Sequence, residues 1–284
     1  MGNVSKDVIR KKNFPAGSKE ERYEELYRTA ASKFTDLILR KYAELEAGRN
    51  GRYINSDLMK MVFPKYRDDL EHRRRFNMSI TNSAAVLTNE AFERAMRRDD
   101  VHRCIFVVGP YGAGKSWFAQ SLFENDKYGL LSEGVLYEGS ITPPAFDNKI
   151  EYALQNGVIP DIIALNPTLE LSMRNIRKRA KEIGRDVTKE EVVSKFYGFH
   201  KQLSDLLEKF SDISCAIYNK ESNTKFNIES TSDALQHFGF ETIGDVEREY
   251  DRIKLMLDIE EQAAENQVTL IKTSKQPNGC EREF

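Results

Sequence analysis

Three glycines, a lysine and a serine set the first chemical question of this sequence. Gly109, Gly114, Lys115 and Ser116 in "GPYGAGKS" fall at the spacing G-x-x-x-x-G-K-[ST], with Gly112 between them. At ordinary residue frequencies such a match arises by chance in roughly one chain per hundred of this length. Glycine lets the backbone turn tightly and approach a ligand closely. The exposed N–H groups of Gly112, Ala113, Gly114 and the first helical residues through Trp117 can then cradle anionic oxygens at a helix N-terminus. In that arrangement Lys115 reaches the outer phosphates of a nucleotide and the Ser116 hydroxyl ligates a magnesium ion. The loop implies nucleotide binding; it does not choose between a kinase, a switch and a motor.

Phosphoryl transfer to a hydroxyl also needs a carboxylate to orient the acceptor and take its proton, and arginines to neutralise the charge spreading over the transferred group. Asp57, at the end of "YINSD", would project from the C-terminal end of a strand, where ligands of open α/β sheets collect. An aspartate there equally serves as the N-cap of a following helix. "RNIRKRAKEIGR" gathers Arg174, Arg177, Arg179 and Arg185, either as a solvated helix face or as a lid over the phosphates. His72, His102, His200 and His237 have no metal-binding spacing, and Cys104, Cys215 and Cys280 form no Cys-x-x-Cys pair.

The elements that must hold these groups alternate. The loop is preceded by the apolar, β-branched run "CIFVVG" and followed by the helical "KSWFAQSLFEN". Strands are expected at "YINSD", "GVLYEG", "PDIIALNP" and "DISCAIYN", with helices between them, which implies α/β with a largely parallel sheet. Apolar residues at helical spacing predict one long amphipathic helix from Ser18 to about Glu46, packing on the sheet as an added layer or binding a partner. A second helix is expected from about Ser83 to Arg98, and a charged one from about Ile243 to Asn266. The chain thus divides into an N-terminal helical extension (1–50), a nucleotide-binding domain (51–228) and a C-terminal helical extension and tail (229–284).

Composition narrows the class. With 31% charged residues but a formal net charge of −2, the chain has no overall electrostatic grip on nucleic acid or membrane. No apolar run approaches the ~20 residues of a membrane span, and the charged start lacks a secretory signal's apolar core, so a cytoplasmic location is expected.

The region from about Tyr53 to Ser222 resembles the zeta toxins, P-loop kinases of toxin–antitoxin systems. "INSDLMKMVFPKY" is similar to that family's acidic residue after a strand followed by proline and an aromatic, which puts the catalytic base on Asp57. "TNSAAVLTNEAFERAM" resembles the helix with a substrate-binding glutamate, here Glu90. "LYEGS" resembles the strand ending Glu-Gly-Thr, so Ser140 takes the place of a substrate-contacting threonine, with Glu138 nearby. "IALNPTLELSMRNIRKRAKEIGR" resembles the strand and arginine-bearing lid; the phosphate-binding arginines fall on Arg177 and Arg185, with Arg174 and Arg179 competing for the first. The resemblance implies a P-loop kinase-like parallel sheet flanked by helices, Mg-ATP as cofactor, a nucleotide sugar such as UDP-N-acetylglucosamine as acceptor, and an antitoxin as partner. Acceptance by NAD or a nucleic-acid 5′ end, and a hydrolytic NTPase switch, stay open. Two features depart from the family. The acidic strand comes before the phosphate loop instead of after it, so either the first two strand–helix units are exchanged in chain order or the match around Asp57 is coincidental. "ITPPAF" also stands where an arginine is expected after Glu-Gly-Thr.

Overall fold

The computed structural model describes residues 3–126, 129–183, 187–219, 224–228 and 240–274. The fold is α/β, a parallel sheet flanked by helices. Five strands, β1 (Tyr53–Asn55), β2 (Arg103–Val108), β3 (Gly134–Gly139), β4 (Ile159–Asn166) and β5 (Ser214–Asn219), run parallel in the order β1-β3-β2-β4-β5. A sixth, β6 (Thr224–Ile228), adds antiparallel to β5 at the far edge and was not expected from the sequence. Cys104, Ile105, Phe106, Val107 and Val108 of β2 are wholly buried, as a strand covered on both faces requires.

Chain order and sheet order differ at the start of the domain. β1 precedes the loop strand in the chain, yet it lies beyond β3 and pairs parallel with it, Asn55 opposite Glu138, while β2 pairs parallel on the other side of β3. A parallel neighbour needs a long crossover, and here the chain returns from β1 to β2 through α3 (Ser56–Lys60), α4 (Pro64–Asp68) and the 27-residue α5 (Leu70–Met96). Three strand ends therefore open on one edge of the sheet: β1 leading to Asp57, β2 to the phosphate loop, and β3 to Ser140.

Each sheet face has its own apolar cluster. Phe106, Phe92 of α5, Phe146 of α7 (Ala145–Gln155) and Phe199 of α9 (Lys189–Lys209) fill one face. Ile105, Val107, Leu136 and residues of α6 (Lys115–Glu124), among them Phe118 and Leu122, fill the other. The last helix, α10 (Ile243–Ser274), packs Val246, Ile253 and Leu257 against α9 and α8 (Leu169–Ile183).

The helical boundaries differ from expectation in three places. The long N-terminal helix is two, α1 (Lys19–Lys33) and α2 (Thr35–Glu44), broken at Phe34, whose φ of −125° leaves the helical region. Neither forms a layer on the sheet: α1 lies along α5, and α2 buries Ile38 and Tyr42 against Met59 of α3 and Leu87 of α5. α5 starts at Leu70, not Ser83, because Asp69 caps it by accepting from the His72 N–H at 2.9 Å. α10 extends past Asn266 to Ser274.

Tyr42 connects the N-terminal extension to the sheet. Its buried hydroxyl donates to the Tyr53 carbonyl at 2.6 Å and accepts from the Asn55 N–H at 3.0 Å, satisfying backbone groups of the edge strand. Tyr42→Phe leaves both without that partner, and a loss of roughly 1–3 kcal/mol is expected, measured by urea unfolding.

His200 is buried against Phe196 and Phe199, ring centroids 5.6 and 5.8 Å away, and desolvation pushes its pKa down to about 4. The folded state therefore rejects a proton that the unfolded chain takes up near pH 6.5. This residue's contribution is complete above that pH and is lost as the pH falls towards 4, up to roughly 3 kcal/mol. In His200→Leu, the acid-side slope of stability between pH 6.5 and 4 is expected to flatten, read from chemical denaturation at a series of pH values.

Candidate active site at the sheet edge

The phosphate loop closes between β2 and α6. Gly114, with φ +76°, is the N-cap of α6 and brings no side-chain cap, so no side chain of the cap residue competes with an anion at this helix N-terminus. Gly112 has φ +73°, and a Cβ there would stand 2.3 Å from the Ser172 carbonyl oxygen of α8. Only glycine permits this approach, and α8 is fastened to the same point by the Asn175 amide donating to the Gly112 carbonyl at 2.7 Å. The Lys115 ammonium donates to the carbonyls of Gly109 and Pro110 at 2.9 and 3.0 Å. Ala113 is buried beneath the loop, and the Trp117 side chain is exposed.

Beside the loop, Ser116 Oγ donates to Glu138 Oε1 at 3.0 Å, and the Tyr53 hydroxyl donates to Glu138 Oε2. Burial and the neighbouring carboxylate raise the Tyr53 pKa, so its proton stays on the phenol. A hydroxyl and a carboxylate in contact at the root of the loop are hard oxygen donors that suit a magnesium ion holding nucleotide phosphates.

Asp57 sits two residues beyond β1, in the first turn of α3 and not on the strand itself. The capping role belongs to Asn55, whose Oδ1 accepts from the Leu58 N–H at 2.8 Å, so the Asp57 carboxylate is turned to other partners. Lys60 Nζ lies 3.1 Å from Asp57 Oδ1 and Arg179 Nη2 3.3 Å from Oδ2. Asp57, Lys115, Glu138 and Ser140 line one cleft of about 430 Å³. Arg179 completes its wall from α8, and Lys60 and Lys149 add two cations that sequence reasoning missed. On the other side of Asp57, an apolar hollow of about 310 Å³ is walled by Tyr53, Leu58, Met61 and Phe123.

The arginine assignment is corrected by helical phase. Ser172, Asn175 and Arg179 share one stripe of α8, at i, i+3 and i+7, and that stripe faces the loop and Asp57. Arg174, Arg177 and Lys181 form another stripe, which faces α10. Arg177 pairs with Asp258 at 2.6 Å and Arg174 with Glu260 at 2.8 Å, while Lys181 pairs with Glu261. Arg179, not Arg177, is thus the arginine in the cleft; Arg185 lies outside the described residues. Glu90 is likewise not brought to the cleft. It pairs with Arg94 at 2.7 Å, which also reaches Asp36 of α2 at 2.7 Å, while the cleft-facing side of α5 carries Thr81. Among the described residues no cluster of His, Cys, Asp and Glu forms a metal site, and no helix is long and apolar enough to cross a membrane.

No family model and no curated protein matches this chain. Among solved structures it is similar to the crystal structure of AvrRxo1-ORF1:-ORF2 with ATP, at 12% identity and a TM-score of 0.40, over 80% of this chain and 76% of that one.

Two substitutions separate the stripes of α8. Arg179→Ala is expected to lower phosphoryl transfer by ~100-fold or more. Arg177→Ala, which removes partly exposed ion pairs to α10, should leave turnover within roughly threefold and cost under ~1 kcal/mol. Steady-state ATP turnover and thermal unfolding of both variants check this.

Proposed function

We propose that this protein is a magnesium- and ATP-dependent kinase that transfers the γ-phosphoryl group to a hydroxyl of a small molecule. The observation that carries the reading is the meeting of Asp57, from an early strand, with Lys115 across one cleft, although 58 positions separate them, while Ser116 lines the adjoining hollow that Asp57 also borders. A hydrolytic switch needs the loop; a carboxylate facing it from a neighbouring strand end is what an acceptor hydroxyl needs.

In this reading the loop N–H groups from Gly112 to Trp117 and the Lys115 ammonium hold the phosphates. Ser116 and Glu138 would hold the magnesium ion, which supplies charge neutralisation at the phosphates when bound. Glu138 is therefore read as a metal-side carboxylate rather than an acceptor contact, because both its oxygens are engaged at the root of the loop. The acceptor hydroxyl lies between Asp57 and the γ-phosphorus. A new O–P bond forms as the bond to the bridging oxygen breaks, ADP leaves, and the acceptor proton passes to Asp57. That transfer asks Arg179 to give up Asp57 Oδ2 for the phosphoryl oxygens, an exchange open to it because it lines the same cleft as Lys115. Lys60 keeps the carboxylate in place by its hold on Oδ1, itself braced by Asn77 Oδ1 at 3.0 Å.

The resemblance to zeta toxins favours a nucleotide sugar such as UDP-N-acetylglucosamine as acceptor, with Ser140 as one of its contacts, and an antitoxin as protein partner. NAD and a nucleic-acid 5′ end are the other acceptors to test. Incubation with Mg-ATP and each compound, read by mass spectrometry for one added phosphate, tests the function; free phosphate with no phosphorylated acceptor would support an NTPase switch instead. Asp57→Asn is expected to retain ATP binding while turnover falls by ~100-fold or more, and unchanged turnover would remove Asp57 as base.

A further inference from the structure

Lys149 is a half-buried cation that the transfer chemistry does not use. It stands on α7, and its ammonium is held by neutral groups: Asn89 Oδ1 at 2.9 Å, the Ala145 carbonyl at 3.4 Å and the Tyr137 ring, 5.5 Å to the centroid. No carboxylate lies within ion-pair distance of it among the described residues; Glu93, the acid acting on it, is itself bonded to the Asn89 amide at 2.6 Å. Burial lowers its pKa, the sign of an ammonium that has lost water without gaining a counter-ion. A charge in that position is costly unless an anion meets it.

Its place in the fold says which anion. Lys149 and Tyr137 belong to the sheet face covered by α5 and α7, whereas the helix that opens at Lys115, together with Glu138 and Tyr53, belongs to the opposite face. Both groups reach the cleft, but from opposite sides of the sheet edge, with Asp57 lining it as well. The nucleotide phosphates occupy the loop. Among the described residues four cations, Lys60, Lys115, Lys149 and Arg179, line this cleft against two carboxylates, Asp57 and Glu138, leaving positive charge beyond what the loop itself requires.

We propose that Lys149 is a specificity-determining residue that pairs with a phosphate group already present on the acceptor, so that the preferred substrates are phosphorylated hydroxyl compounds rather than neutral alcohols. This rests on the kinase reading for the word acceptor, but the anion subsite can be tested without turnover.

The test uses the full chain saturated with magnesium and a non-hydrolysable ATP analogue, so that the loop is filled. Two matched pairs, UMP with uridine and glucose 6-phosphate with glucose, are titrated by calorimetry. At least one phosphorylated member is expected to bind at least ~10-fold more tightly than its neutral partner. Lys149→Met, which keeps an unbranched stem beside the Tyr137 ring and removes only the charge, is expected to abolish that difference; Lys149→Arg should retain most of it. In turnover assays with any acceptor that the enzyme phosphorylates, Lys149→Met should raise the acceptor KM by ~10-fold or more with the KM for ATP unchanged. Equal binding within both pairs, no binding of either phosphorylated probe, or a Met variant that discriminates as well as the parent would overturn the proposal. Discriminating binding with no phosphorylated product from any compound would keep the anion subsite and defeat the kinase.

Discussion

The parallel pairing of β1 with β3 is the constraint on which the site depends. With Asn55 opposite Glu138, the turn carrying Asp57 stands beside the carboxylate that touches Ser116, and both stand beside the loop after β2. An antiparallel β1 would send Asp57 to the opposite end of the sheet, and one moved to the far edge would leave it several strands away from the loop. Chain order is free to vary because each strand–helix unit is a separate crossover; strand direction and neighbour are not.

Around that frame the charges are arranged by sheet face and by helical phase. α6 approaches from one face with Lys115 and Ser116, α7 from the other with Lys149, and α8 closes over the loop with the stripe that ends in Arg179. The contact between Gly112 and Ser172 makes loop and α8 one packed unit, so the arginine is positioned by the same backbone approach that shapes the phosphate cradle. Arg174, Arg177 and Lys181 of α8 are spent on α10.

Much of this was legible in the sequence. β2, β3 and β4 announce themselves as short apolar runs ended by glycine or proline, and the loop residues carry their chemistry in their spacing. The place of Asp57 at the cleft followed from its position after a strand, although its capping alternative could be dismissed only by seeing Asn55 take that role. The rest was hidden for identifiable reasons. The early part of α5 buries His72, Ser79 and Ser83 along with Phe76 and Ile80, so its inner face does not read as apolar. The break at Phe34 has neither glycine nor proline to mark it. Arg177 and Arg179 are two positions apart, about 200° around a helix, and only the packing of Ser172 on Gly112 fixes which one looks inward. Lys60 and Lys149 are ordinary surface residues by type, and became cleft residues through tertiary folding alone.

The hold of Tyr42 on Tyr53 and Asn55 has a further meaning for the boundary drawn near residue 50. β1 is the outermost strand on its side, and a bare outermost strand offers its unsatisfied backbone to any passing chain as a template for intermolecular pairing. The first fifty residues thus act as a guard for a vulnerable margin as well as an appendage, and excising them would leave not a minimal sheet-and-loop unit but a sticky one.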